Sequence, residues 1–173
     1  LVEDLDLLLE LLSDVLQRPT FPSEQVERLR AQLISGLALR ADSTEEMASL
    51  AFHQIVYANH PYRRPEDGYP ETIQNIRRED LIQFHRTHYG PRGMTIAIVG
   101  GVDSKLAVEK VVHFLGDWHN VNQPVPPELP PLTPMNDSIM KKVDIQGKYQ
   151  ANVLIGAAGP SRRSPDYLAA ALG

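Results

Sequence analysis

Apolar residues recur at spacings of three and four through residues 1–17, where Leu5, Leu8, Leu9, Leu12, Val15 and Leu16 share one side and Asp4, Asp6, Glu10 and Asp14 the other. That period predicts a helix with one buried stripe, closed by Arg18-Pro19. A second helix is expected from Pro22 to Ala41, with proline suited to its first turn and Ser23-Glu24 adding charge where the helix dipole favours it. Val26, Leu29, Leu33 and Leu37 mark its inner stripe, and at 1.5 Å per residue it would span roughly 30 Å. The run Asp42-Ser43-Thr44-Glu45-Glu46 carries a cap and a reciprocal glutamate, so a third helix should start there and turn Met47, Leu50, Ala51, Phe52 and Ile55 inward. His60 to Gly68, with two prolines and a glycine, reads as an ordered loop that Pro70 extends to about Ile73. A fourth helix, about Arg78 to His88, would bury Leu81, Ile82 and Phe84 before Tyr89-Gly90-Pro91 stops it.

The period then changes. Met94 to Gly100 is apolar on both alternating faces, the pattern of a central strand buried on two sides. Asp103 can cap a following helix in which Leu106, Val108, Val111, Val112 and Leu115 are inward, ending at Gly116. Ser138 to Ile145 and Gln150 to Ile155 are two more strand candidates, joined through Gly147-Lys148, and a last helix begins after Ser164-Pro165-Asp166. The fold class expected is α+β. Between Asn120 and Pro134 neither period survives, and six of the fourteen prolines fall in this stretch, which reads as an extended, semi-rigid linker. The expected organisation is the latter part of one domain over residues 1–119, a linker over 120–136 and the beginning of a second domain over 137–173. Lacking an initial Met and ending inside a helical pattern, the sequence is expected to be a segment of a longer protein.

Composition narrows the partners more than the fold. Seventeen Lys and Arg are interspersed with 22 Asp and Glu, a net charge of -5 with no basic block, which argues against nucleic acid. No apolar run approaches the ~20 residues of a membrane span, and the chain opens on an acidic helix where a signal peptide would be basic and then apolar. No membrane association is expected, and the compartment is left open. With no cysteine there is no disulfide, thiolate ligand or cysteine nucleophile.

Candidate chemistry is sparse. His85 and His88 lie three apart on a helix end and could form half of a zinc site, but no carboxylate or third histidine stands at helical spacing to complete it. The helix end also favours their positive charge without any metal. His53, His60, His113 and His119 have no partner at a telling spacing, and helix-start electrostatics account for Glu45 and Glu46. No phosphate-cradling glycine loop and no Gly-x-Ser-x-Gly elbow occurs.

The ordered set of local strings, in contrast, resembles a family. Phe21-Pro22 leading to Glu27-Arg28 and Gln32, the break at Asp42-Ser43, Tyr57 to Gly68, Arg78-Glu79-Asp80-Leu81, Phe84-His85, His88-Tyr89-Gly90-Pro91 and Ile96 to Asp103 are similar to the pitrilysin/insulinase-like zinc metallopeptidases, which include mitochondrial processing peptidase subunits. Gln150 to Gly156, Gly159-Pro160, Arg162 and Pro165-Asp166-Tyr167 resemble the opening of that family's second domain. The resemblance implies pitrilysin-like (inverzincin) half-domains, with long helices packed on one face of a mixed sheet. In active members zinc is held by His-x-x-Glu-His, whose glutamate is the general base, and by a further glutamate on a long helix. The motif would lie upstream of Leu1. The helix corresponds to Phe21 to Asp42, and counting from Glu27-Arg28 sets the family's Glu-Glu pair on Ser35 and Gly36. A hydroxyl is a poor zinc ligand and glycine supplies none. The expectation is therefore a non-catalytic member, with no catalytic or metal-ligating residue in this segment and no cofactor of its own, acting on a peptide substrate beside a catalytic family subunit or as a homo-oligomer. An active endopeptidase with its motif upstream is the alternative.

Overall fold

The computed structural model describes residues 4–133 and 135–172. Leu1 to Glu3 of the first predicted helix, Pro134 of the proline-rich stretch and the final Gly173 lie outside the described residues. Seven α-helices are found among the described residues: α1 (Leu5–Gln17), α2 (Ser23–Asp42), α3 (Thr44–Val56), α4 (Pro70–Asn75), α5 (Arg78–His88), α6 (Ser104–Leu115) and α7 (Tyr167–Leu172). The predicted loop is more regular than its prolines suggested, since Pro61–Arg63 forms a 3-10 turn and α4 begins on Pro70 itself. Proline's fixed φ and missing N–H suit the first position of both.

Two caps foreseen from sequence are formed. The Ser43 hydroxyl accepts from the Glu46 amide at 3.3 Å ahead of α3, and the Asp103 carboxylate accepts from the Lys105 and Leu106 amides at 3.0 Å each ahead of α6. At α5 the Asp80 carboxylate reaches back to the Arg77 amide at 2.7 Å. Each bond satisfies an amide that the first helical turn leaves without a partner.

The expected α+β fold with a mixed sheet is not what forms: among the described residues there is no strand. Residues 94–99, 138–145 and 150–155 carry no ladder, and their apolar side chains are not enclosed. Val99 is 96% exposed and Met140 97%. An apolar β-branched run encodes only the capacity to pair, because a strand's N–H and C=O groups are satisfied by a neighbouring chain 4.7–4.9 Å away and not within the run. The helical stripes are likewise only partly covered. Leu5 and Leu9 of α1 and Leu37 of α2 are buried, whereas Leu8, Leu12, Val15, Leu29 and Leu33 of the predicted inner faces stay exposed.

The chain divides into two compact units. The first comprises Leu1–Arg28 and Ile76–Pro127, so it holds α1, the start of α2, α5 and α6. Here α1 packs on α6; the Ser13 hydroxyl donates to the Phe114 carbonyl at 3.0 Å, and Lys110 pairs with Asp6 at 2.6 Å. Leu5, Leu9, Ala107, Leu115 and Trp118 form this unit's buried apolar set. Arg78 donates to the Phe21 and Thr20 carbonyls at 2.6 and 2.9 Å. It thereby fixes the loop in which Phe21 takes a positive φ of 44°.

The second unit comprises Leu29–Asn75 and Glu128–Gly173. Leu37, Ala51, Val56, Ile73 and the ring of His60 are buried in it. The chain after the proline-rich stretch is tied to the end of α2 and to α3. Lys148 pairs with Asp42 at 2.7 Å, the Thr44 hydroxyl and Asn152 side-chain oxygen lie 2.6 Å apart, and Lys141 donates to Gln54 at 3.1 Å. Gly156 runs so near the Phe52 ring that a Cβ there would stand 3.0 Å from it.

Candidate functional site

Ser35 and Gly36, the positions to which the family resemblance assigns a metal-ligand role, lie on the exposed side of α2. The Ser35 hydroxyl turns back along the helix and donates to the Ala31 carbonyl at 2.9 Å, the usual local bond of a mid-helix serine. A Cβ at Gly36 would meet nothing within 4 Å. The donor set at this point is thus one hydroxyl already engaged by its own helix, which does not fit zinc. Among the described residues no group of three His, Cys, Asp or Glu is arranged to hold a metal ion.

The histidines have structural surroundings. His85 Nε2 lies 2.8 Å from the Leu16 carbonyl, and its ring stacks on Tyr89 at 5.0 Å and meets Phe21 edge-on at 6.0 Å. His88 packs on Phe84 at 4.6 Å. The two face different neighbours and do not converge. His60 is buried, and its Nδ1 accepts from the Tyr62 amide at 3.2 Å, capping the 3-10 turn. Its ring meets Tyr62 edge-on at 4.5 Å and Tyr57 at 5.9 Å. The loop His60 to Gly68 is therefore built on a histidine cap and an aromatic cluster.

That loop also contributes a feature missed in the sequence. Arg40, Glu46, Ser49, Leu50, His53 and residues 62–65 line a concavity of about 180 Å³ in the second unit. Three arginines are among its lining residues. Arg40 Nη2 donates to the Gly68 carbonyl at 3.0 Å and Arg63 Nη1 to the Ala58 carbonyl at 3.0 Å, while the Arg64 side chain has no hydrogen bond or ion pair within the described residues. None of the three pairs with a carboxylate there, Glu46 included. The signal was present as the doublet Arg63-Arg64 between two prolines, but Arg40 lies far back in the sequence and only folding brings it to the loop.

A family profile described as the peptidase M16 inactive domain matches residues 75–172, more than half of the chain. The chain belongs to the peptidase M16 family. This is the pitrilysin-like family that its local strings resemble. Relatives carry the similarity across the remainder. An uncharacterized zinc protease of Mycobacterium leprae is 28% identical over 92% of this chain and 36% of its own length. Subunit 1 of the cytochrome b-c1 complex of Bos taurus mitochondria is 25% identical over 98% of this chain and 35% of its own. The beta subunit of the Bos taurus mitochondrial-processing peptidase is 27% identical over 91% and 32%. The chain thus spans about a third of the length of these M16 relatives. No helix among its described residues is long and apolar enough to cross a membrane.

Proposed function

We propose that this chain is part of a non-catalytic M16 protein that pairs with a catalytic family subunit and helps enclose a peptide substrate. The observation carrying the reading is Ser35. At the α2 position where the family resemblance calls for a carboxylate ligand there is a hydroxyl bonded to Ala31, and beside it a glycine. The match of residues 75–172 to an inactive-domain profile supports the same reading, as does the naming of relatives as subunits of larger assemblies. On this reading the proline-rich stretch connects the latter part of one M16 domain to the beginning of the next, and zinc belongs to the catalytic partner. An active endopeptidase is favoured by one observation, the relative named as a zinc protease.

The test uses the complete protein that carries this chain, with a quenched-fluorescence peptide and excess zinc. The expected result is no turnover by the protein alone, and turnover that rises when a catalytic M16 subunit is added. Zinc-dependent hydrolysis by the protein alone, abolished by a chelator and restored by metal, would overturn the non-catalytic reading.

A further inference from the structure

We propose that the concavity bounded by Arg40, Arg63 and Arg64 binds an acidic side chain of an extended peptide, a specificity that rests on the peptide-binding reading above. The chain carries a net charge of -5, yet three arginines and a single acidic residue, Glu46, are among the residues lining this pocket. None of the three is neutralised within the described residues. Two are already oriented, because Arg40 and Arg63 each spend one nitrogen on a main-chain carbonyl and keep the remaining donors for a ligand. A guanidinium presents several N–H groups in a fixed fork, matched to the two oxygens of a carboxylate. The backbone that carries Arg63 and Arg64 is held by Pro61, Pro65 and the His60 cap. Less freedom is then lost on binding than from a mobile loop.

Size and lining select the ligand class. About 180 Å³ is below the several hundred Å³ of a cavity that encloses a whole small molecule, so it suits one side chain of a larger ligand. Its walls are mixed, with Leu50, Pro65 and the Tyr62 ring beside Ser49 and the arginines. An aspartate or glutamate brings methylene groups for the apolar wall and a carboxylate for the forks. Inorganic phosphate satisfies only the second.

The test is fluorescence anisotropy of the complete protein that carries this chain with a labelled peptide containing a run of glutamates, its glutamine isostere, and inorganic phosphate as competitor. At low salt the glutamate peptide should bind about tenfold or more tightly than the isostere. The advantage should shrink as ionic strength approaches 0.15 M, where the Debye length falls to about 8 Å. Arg63→Gln with Arg64→Gln should abolish it. Arg64→Gln alone should reduce it by about fivefold, and because that side chain makes no hydrogen bond or ion pair within the described residues, this variant reports even if the double variant loses helicity. Equal binding of both peptides, unaffected by the substitutions, would overturn the pocket while leaving peptide binding intact. Phosphate displacing the peptide at equal concentration would overturn the peptide ligand in favour of a phosphate site. Binding of neither peptide by the folded protein would overturn both this proposal and the reading on which it rests.

Discussion

Gly90 lies where α5 gives way to the following loop, and replacing it with alanine tests whether the end of the first unit is a locked arrangement or a loose one. The glycine is buried, and its φ is not among the positive values, so alanine meets no backbone objection. The obstacle is steric. A Cβ there would overlap Gln123 Oε1 and stand 2.9 Å from both Gln123 Cδ and Asn120 Cβ. A flexible glutamine end could ordinarily swing aside. This one is held, since its Oε1 accepts from the Arg92 amide at 3.0 Å, its Nε2 donates to the Arg92 carbonyl at 3.0 Å, and its own carbonyl accepts from Arg92 Nη1 at 2.6 Å. Asn120 is held as well, donating to the Arg86 and Tyr89 carbonyls.

Relief therefore requires giving up the two side-chain bonds of Gln123 or shifting the backbone at Asn120. Each hydrogen bond contributes about 1 kcal/mol, and overpacking a tight contact costs about 1–3 kcal/mol, so Gly90→Ala should destabilise by about 2–3 kcal/mol. At about 2–4 °C per kcal/mol for a chain of this size, the melting temperature should fall by roughly 5–10 °C. Urea and thermal unfolding followed by circular dichroism give the energy. Fluorescence of Trp118, the only tryptophan and a buried residue of the same unit, shows whether the loss is local to it. A double-mutant cycle isolates the cause, because in a Gln123→Ala background the alanine at position 90 should cost about 1 kcal/mol less. A change below about 0.5 kcal/mol, within the ordinary range for a surface substitution, or a cost unaltered by removing Gln123, would refute the reasoning.

Other substitutions test the local physics. Asp103→Ala removes a carboxylate that accepts two amides at the start of α6 and should cost about 1 kcal/mol, with Asp103→Asn recovering most of it in urea titrations. Ser35→Ala deletes only a back-bond to Ala31 on an exposed helix face and should raise stability by about 0.5 kcal/mol through helix propensity; a loss of 1 kcal/mol or more would mean that the hydroxyl has a partner beyond its own helix. Lys142 is held above its ordinary value of 10.5 by its hydrogen bond to Asp144 and then by that residue's charge. In an NMR titration Asp144→Asn should therefore lower its midpoint, and an unchanged midpoint would break the assignment.

Helices were legible in the sequence because their information is local. The caps Ser43 and Asp103 and the stops at Arg18 and Gly116 each act within a turn of the residue that encodes them, and the observed bounds follow them closely. The run Met94 to Gly100 forms no strand among the described residues, because a run apolar on both faces specifies which neighbour a strand would accept and cannot supply one. The predicted stripe of α2 divides along the same line. Leu37 is buried, while Leu33 and Leu29, one and two turns earlier with the same chemistry, are exposed.

The candidate sites follow this logic as well. Ser35 could be singled out in advance because the proposed loss of a ligand is a matter of residue type alone, once the family resemblance is taken to supply the register. The arginine-lined concavity could not, since Arg40 on α2 joins Arg63 and Arg64 only when the His60-capped turn folds back toward that helix. The 3-10 turn at Pro61–Arg63 follows directly on buried His60 and carries Arg63 into the pocket lining, so on the pocket proposal one element serves both. His60→Ala should in consequence loosen the turn and weaken the acidic-peptide preference together, although His60 is not part of the pocket lining. If hydrogen exchange at the Tyr62 amide accelerates while the peptide preference is unchanged, the turn does not organise the pocket, and the three arginines act independently of it.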